Sequence, residues 1–122
     1  MDQERKCNSV LVIEDDPDIR DTLRQILEFE HYAVQTAHNG KEGLDLLRSM
    51  GRPCLILLDL MMPVMNGWEF LSEKNGDILV APIPVVVISA AGERAKDTPA
   101  HGYIKKPIDL DLLLSVVKRY CG

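Results

Sequence analysis

Short apolar runs alternate along the chain with segments in which apolar residues recur at helical spacing. The continuous runs are Val10–Ile13, Leu55–Leu58 and Val85–Ile88, and weaker strand candidates are Tyr32–Thr36 and Tyr103–Ile104. The continuous runs lack the polar alternation of a half-exposed strand, which is typical of strands buried on both faces of a sheet. The pattern therefore predicts strands that are covered by helices on both sides.

The segments between these runs predict helices. Ile19, Leu23, Ile26 and Leu27 share one face, and Asp16 followed by Pro17 suits the cap and first turn of that helix. Leu44, Leu47 and Met50 mark a second helix, which Gly43 weakens. A third helix, with Trp68 and Leu71, follows the turn Asn66–Gly67. The last helix begins after its predicted cap Asp109 and is marked by Leu110, Leu113, Leu114 and Val117. Strands that alternate with helices predict a parallel α/β sheet, in which ligands bind beyond the carboxyl ends of the strands.

Polar residues that could bind a ligand or take part in a reaction lie at these predicted strand ends. They are Glu14, Asp15 and Asp16 after the first strand, Asp59 after the third, Ser89 after the fourth, and Lys105 and Lys106 after the fifth. Carboxylates about 4 Å apart repel by roughly 4 kcal/mol at an effective dielectric of 20, so a proton or a cation must relieve them. Hard oxygen ligands suit Mg²⁺. Acids also cap helix N-termini, which explains Asp16 well but not Asp59.

Composition limits the class of protein. With 122 residues, of which 46% are hydrophobic, the chain predicts one domain over residues 1–122, with residues 1–7 as a flexible tail. The net charge of -5 and the scattered basic residues disfavour direct nucleic-acid binding. No signal peptide or run long enough to span a bilayer is visible, so we expect a cytoplasmic protein without membrane insertion.

The chain has three cysteines, which is a small and odd number. Cys7, Cys54 and Cys121 lack a Cys-x-x-Cys pair, which argues against structural zinc. Their number does not suggest a disulfide framework. We therefore expect no disulfide, with Cys54 as a small core residue.

Four motifs in their order along the chain resemble the receiver domain of response regulators in two-component phosphorelay signalling. They are Leu11–Arg20 (LVIEDDPDIR), Leu57–Gly67 (LLDLMMPVMNG), Pro84–Ala90 (PVVVISA) and Gly102–Pro107 (GYIKKP). The resemblance covers nearly the whole chain. It implies one doubly wound, five-stranded parallel sheet in the flavodoxin-like order 2-1-3-4-5, with helices on both faces.

The resemblance also implies a role for each matching residue. Asp59 resembles the phosphoacceptor and is, with Asp15 and the backbone carbonyl of Met61, a direct ligand of Mg²⁺ (or Mn²⁺), while Glu14 acts mainly through water. Ser89 and Tyr103 resemble the switch pair. Lys106, rather than Lys105, matches the phosphoryl-binding lysine and is followed by a cis bond to Pro107. A histidine kinase or phosphotransfer protein would donate the phosphoryl group and a protein-interaction surface would change. The domain would then catalyse its own phosphorylation and dephosphorylation, without conventional substrate turnover.

Two features depart from the family pattern. Only Glu93–Thr98 remain for a fourth helix, which is under two turns, so this helix is expected to be short or irregular within a mobile segment Ala90–Gly102. Met61 and Ala91 lie two residues beyond Asp59 and Ser89. Because both are apolar, neither side chain can hold a hydrolytic water, and a long-lived aspartyl phosphate is expected.

Three other functions compete with the phosphorylation switch. Asp16-Pro17-Asp18 faintly resembles the Asp-x-Asp of aspartate-nucleophile phosphohydrolases, but the intervening proline is unfavourable. A flavodoxin-like nucleotide binder needs a phosphate-cradling first loop, which the acids after the first strand would oppose. A receiver-like interaction module that is never phosphorylated stays open, although the acids, hydroxyl and lysine argue against it.

Overall fold

Five parallel strands, numbered along the chain, form one sheet in the order 2-1-3-4-5, as the family resemblance implied. The computed structural model describes residues 8–90 and 98–122. The predicted tail 1–7, Ala91 and most of the expected short helix Glu93–Thr98 lie outside these residues. The strands are β1 (Ser9–Ile13), β2 (Ala33–Ala37), β3 (Leu55–Asp59), β4 (Val85–Ser89) and β5 (Gly102–Lys105).

Four helices are described, and side chains cap each of them. They are α1 (Pro17–Phe29), α2 (Gly40–Ser49), α3 (Gly67–Asn75) and α4 (Leu110–Cys121). The Asp16 carboxylate accepts hydrogen bonds from two backbone N–H groups in the first turn of α1, and Asp109 accepts one in α4, as predicted. Asn66 and Glu69 form a reciprocal capping box at α3. These caps fix where each helix begins relative to the strand before it.

The sheet separates two apolar cores. Leu11 and Ile13 of β1 pack on one face with α2 and α3, whereas Val10 and Val12 pack on the other with α1 and α4. Successive strand residues point to opposite faces, so an unbroken apolar run supplies both cores. The lack of polar alternation in β1, β3 and β4 is thereby explained.

Two glycines permit close packing around the carboxyl edge of the sheet. A Cβ atom on Gly43 would lie 2.5 Å from Cδ1 of Ile13, so this residue lets α2 approach β1 rather than merely weakening the helix, as the sequence suggested. A Cβ atom on Gly67 would lie 2.7 Å from the carbonyl oxygen of Asp59. Gly67 therefore lets the start of α3 sit against the end of β3.

The expectation of no disulfide is wrong for two of the cysteines. Cys54 and Cys121 are joined by a disulfide, with Cα atoms 5.5 Å apart. The end of α4 packs beneath the start of β3, and this tertiary contact joins residues 67 positions apart in sequence. Cys121 belongs to the buried apolar cluster on the α1–α4 face, whereas Cys54, expected in the core, is half-buried and packs against that cluster.

Candidate functional site

The carboxyl ends of β1, β3, β4 and β5 bring the predicted site residues together at one edge. Glu14 directly follows β1, while Asp59 and Ser89 are the last residues of β3 and β4. Lys106 follows β5, and its backbone N–H donates to the carbonyl oxygen of Ser89 at 3.0 Å. This edge is where open parallel sheets bind ligands.

Three acidic residues gather at this edge. One carboxylate oxygen from each of Glu14, Asp15 and Asp59 lies within 4.8 Å of the other two. Glu14 and Asp59 are buried, at 2% and 4% exposure, and Asp15 is half-buried. A set of hard oxygen donors on a partly open edge matches the preference of Mg²⁺, which keeps several waters. The residues therefore fit a divalent cation.

The neighbouring Asp16 has a different role from these acids. Its Oδ1 atom accepts hydrogen bonds from the backbone N–H of Asp18 at 2.9 Å and of Ile19 at 3.3 Å. The capping interpretation therefore holds for Asp16. Glu14 instead lies in the acidic cluster, where its Oε2 accepts from the backbone N–H of Asp16 at 3.1 Å.

Lys106 supplies the positive charge beside the acids. Its ammonium lies 3.0 Å from Oε1 of Glu14 and 3.5 Å from Oδ1 of Asp59. The Lys106 side chain is 21% exposed, whereas Lys105 is an exposed residue. The peptide bond between Lys106 and Pro107 is cis, as the family resemblance implied. Lys106, and not Lys105, thus stands at the acidic cluster.

Burial and charge perturb the ionisation of this group. Burial, with a contribution from the charge of Asp59, raises the pKa of Glu14 to about 7. Burial also raises the pKa of Asp59, although the charge of Lys106 opposes that shift. Burial alone would lower the pKa of Lys106, but its hydrogen bond to Glu14 and the nearby carboxylates outweigh it and raise that pKa. Perturbed pKa values of this kind, caused by burial and specific charge partners, are typical of functional sites.

The predicted switch residues lie on the two strands that follow β3 in the sheet: Ser89 ends β4, and Tyr103 is within β5. Ser89 is fully buried. Tyr103 is half-buried, and its hydroxyl group lies 3.5 Å from the carbonyl oxygen of Ser89, at the limit of a hydrogen bond. The aromatic ring of Tyr103 is therefore linked to the end of β4.

The loop after β3 contributes backbone and side chain to the site. The backbone N–H of Met61 donates to Oδ1 of Asp59 at 3.3 Å, and the Met61 side chain is 56% exposed. Val64, in the same loop, has a φ of 70°, which is unusual for a β-branched residue. Met61, which contacts Asp59 through its backbone N–H, thus carries an apolar and accessible side chain, while Ala91, its predicted counterpart, lies outside the described residues.

Arg20 is a site residue that sequence reasoning missed. Its guanidinium donates to the carbonyl oxygen of Glu14 at 3.0 Å and, more weakly, to that of Asp15 at 3.4 Å. Arg20 lies in the first turns of α1, so it reaches back over the loop that precedes its own helix. Only its place in the first motif could have drawn attention to it. These two hydrogen bonds hold the backbone of Glu14 and Asp15, two of the three residues in the acidic cluster.

The family model described as the response regulator receiver domain matches residues 10–118. The response regulator MprA of Mycobacterium tuberculosis is 37% identical over 111 residues, which cover 87% of this chain and 47% of MprA. The chain thus spans about half the length of the curated relatives it matches.

Solved structures show the same fold. The receiver domain of a signal transduction histidine kinase from Syntrophus aciditrophicus has a TM-score of 0.85 and 31% identity, covering 93% of this chain and 89% of that one. The response regulator TrrA of Thermotoga maritima, solved in complex with Mg²⁺-BeF, has a TM-score of 0.82 and 30% identity, covering 93% and 98%.

Proposed function

Because this chain belongs to the response regulator receiver domain family of two-component signalling, we propose that it is a phosphoacceptor switch. Asp59 accepts a phosphoryl group from a partner histidine kinase or phosphotransfer protein. One observation supports this most strongly: the Asp59 carboxylate lies both in the acidic cluster and 3.5 Å from the ammonium of Lys106. A phosphoryl group on Asp59 would therefore meet a cation on one side and an ammonium on the other.

Glu14, Asp15 and Asp59 are the side chains that would hold Mg²⁺, or Mn²⁺, together with the backbone carbonyl of Met61. When bound, the ion would offset the charge of these acids and of the phosphoryl oxygens. The fit rests on the three clustered carboxylates. Arg20, which fixes the backbone of Glu14 and Asp15, keeps two of these donors in place.

The reaction is a transfer between a phosphohistidine and Asp59. An oxygen of the Asp59 carboxylate attacks phosphorus, the phosphorus–nitrogen bond breaks and the imidazole leaves. The attacking carboxylate must be ionised, and the charge of Lys106 favours that state. Lys106 then contacts the transferred group, because its ammonium already faces Asp59.

The product alters the charge at the sheet edge. The phosphoryl group carries about -1.5 to -2 charges, but the Asp59 carboxylate loses its own single charge when it is phosphorylated, so the net change is about -0.5 to -1. Ser89, at the end of the neighbouring strand, donates a hydrogen bond from its hydroxyl group to a phosphoryl oxygen. Tyr103 then moves with it, because the Tyr103 hydroxyl group contacts the carbonyl oxygen of Ser89. These movements change a protein-interaction surface.

The partner would dock on the apolar groove beside Lys106. This groove, of about 360 Å³, lies between α1 and the loop from β5 to α4, and it is lined by Ile19, Leu23, Pro107, Ile108 and Leu110 among others. A phosphohistidine can reach Asp59 only from a surface that adjoins the acidic cluster.

We propose that this exchange takes place in the cytoplasm. None of the described helices is long and apolar enough to cross a membrane.

The proposal is tested by incubating the chain with acetyl phosphate and Mg²⁺ and measuring its intact mass. We expect one added phosphoryl group, which Asp59→Asn abolishes and Asp16→Asn, a matched change at a capping carboxylate, preserves. No mass increase would favour the interaction module that is never phosphorylated. Continuous release of phosphate from a generic phosphate ester would favour the phosphohydrolase.

A further inference from the structure

The disulfide lies at the opposite edge of the sheet from the acidic cluster. Cys54 immediately precedes β3, whereas Asp59 ends that strand, so the two edges are about 17 Å apart along β3. Cys121 is the last residue of α4, whose first turn lies near Lys106. The bridge therefore ties the far end of α4 to the sheet, away from the site of phosphorylation.

The surroundings of Cys54 suit the thiol as well as the disulfide. The Cα separation of 5.5 Å is typical of disulfides and needs no backbone movement. The carbonyl oxygen of Ser9 lies 3.1 Å from Sγ of Cys54, where it can accept a hydrogen bond from a reduced thiol. The same carbonyl accepts from the backbone N–H of Cys54 at 2.8 Å, and its two lone pairs allow both bonds.

The two sulfur atoms differ in access. Cys121 is 4% exposed within the apolar cluster, whereas Cys54 is half-buried. An incoming thiolate would therefore attack the Cys54 sulfur, and Cys121 would leave as the thiolate. Cys121 then takes a proton and packs as a small apolar residue. Both redox states are thus compatible with the fold.

We propose that Cys54 and Cys121 form a reversible thiol–disulfide site that exchanges with dithiol reductants and with small disulfides such as oxidised glutathione. In reduction, one thiol of the reductant forms a mixed disulfide with Cys54. The second thiol displaces it, so the reductant becomes a disulfide and the pair gains two electrons and two protons. Glutathione disulfide reverses the reaction and leaves as two thiols. In reducing compartments such bridges are usually transient ones.

The consequence is a change at the end of α4. Oxidation joins the last turn of α4 to the start of β3, and reduction leaves that turn held by its helical hydrogen bonds and by packing. The pair is separate from the acidic cluster, so this inference does not depend on phosphorylation of Asp59.

The test counts thiols in the full chain with Cys7→Ser, so that only this pair reports. After equilibration across glutathione redox buffers, the protein is acid-quenched, unfolded and alkylated with a maleimide-linked polymer. We expect both thiols to disappear together in one two-electron transition. Cys54→Ser and Cys121→Ser should each lack the intramolecular transition. Two thiols at the most oxidising ratio, or none at the most reducing ratio, would overturn the proposal.

Hydrogen exchange tests the structural consequence. Amides of residues 118–122 should exchange faster in the reduced protein, on the order of tenfold, while those of β1 stay protected. Equal exchange at the end of α4 in both states would overturn the claim that the bridge restrains this helix. Both measurements work without phosphorylation, so their failure is distinct from failure of the proposed function.

Discussion

Lys106 and Glu14 are joined by an ion pair of 3.0 Å that links the end of β5 to the end of β1. The same ammonium lies 3.5 Å from Asp59. Because Lys106 contacts both carboxylates, a phosphoryl group on Asp59 would compete with Glu14 for it. The ion pair therefore describes the unphosphorylated arrangement, and phosphorylation should draw Lys106 towards Asp59.

Removing this ammonium should slow phosphorylation and weaken the switch. In Lys106→Met the developing phosphoryl charge loses a preorganised donor, and we expect the rate of modification by acetyl phosphate to fall by about 100-fold. The rate is measured by intact mass against time. Lys105→Met removes an exposed charge next in sequence and should behave like wild type. Equal losses in the two variants would show that net charge alone matters.

The stability of the metal-free domain should fall as pH rises from about 4.5 to about 7. Burial raises the pKa of Glu14 from 4.5 to about 7, so in this interval the folded state binds a proton that the unfolded state has lost. This contribution of Glu14 to the free energy of unfolding is fully present below pH 4.5 and is lost by pH 7, and it is on the order of 3 kcal/mol. Chemical unfolding in a chelator measures it.

The control for this pH dependence is Glu14→Gln, which removes the titrating group while keeping its size. The difference in stability between wild type and this variant should vary with pH over that interval. A difference that stays constant from pH 4.5 to 7 would show that Glu14 ionises normally.

Mg²⁺ affinity should depend on Arg20, although Arg20 carries the wrong charge to be a ligand. Its hydrogen bonds hold the carbonyls of Glu14 and Asp15, and groups that orient metal ligands typically affect affinity by 10–100-fold. We expect Arg20→Gln to weaken Mg²⁺ binding by about tenfold in titration calorimetry. Arg24→Gln removes an arginine from the same helix whose partner is the exposed Asp21, and it should bind Mg²⁺ normally.

The lifetime of the phosphorylated state should depend on Met61. An Asn at this exposed position beside Asp59 can hold a water by hydrogen bonding, so Met61→Asn should shorten the lifetime of the aspartyl phosphate. Loss of phosphoryl mass after removal of the donor measures this. Val64→Asn is the matched control, because Asn accepts the left-handed backbone found there. Phosphate loss no faster than wild type in Met61→Asn would contradict the account.

Much of the fold could be predicted because local patterns determine it. The apolar runs located β1, β3 and β4, and Asp16 and Asp109 marked two helix starts, since capping and burial act over a few residues. The convergence of Glu14 and Asp59 followed from parallel topology alone. The choice of Lys106 over Lys105 came from the family resemblance, because adjacent lysines differ only in which way they point from the end of β5.

The features that were missed depend on contacts between distant parts of the chain. The pairing of Cys54 with Cys121 requires knowing where α4 ends relative to the start of β3. The contribution of Gly43 appears only once α2 lies against Ile13. Arg20 is closer in sequence to its partners, but it bonds to backbone carbonyl groups. Every residue has such a carbonyl, so the residue types do not show which ones Arg20 contacts.

The most direct test of the central claim is to locate the modified residue. After treatment with acetyl phosphate and Mg²⁺, borohydride reduction converts an aspartyl phosphate into homoserine, which peptide sequencing by mass spectrometry can place. We predict homoserine at position 59, and none when Mg²⁺ is replaced by a chelator. Homoserine at Asp15 or Asp16 instead, or unmodified Asp59 in protein that has gained phosphoryl mass, would contradict the account.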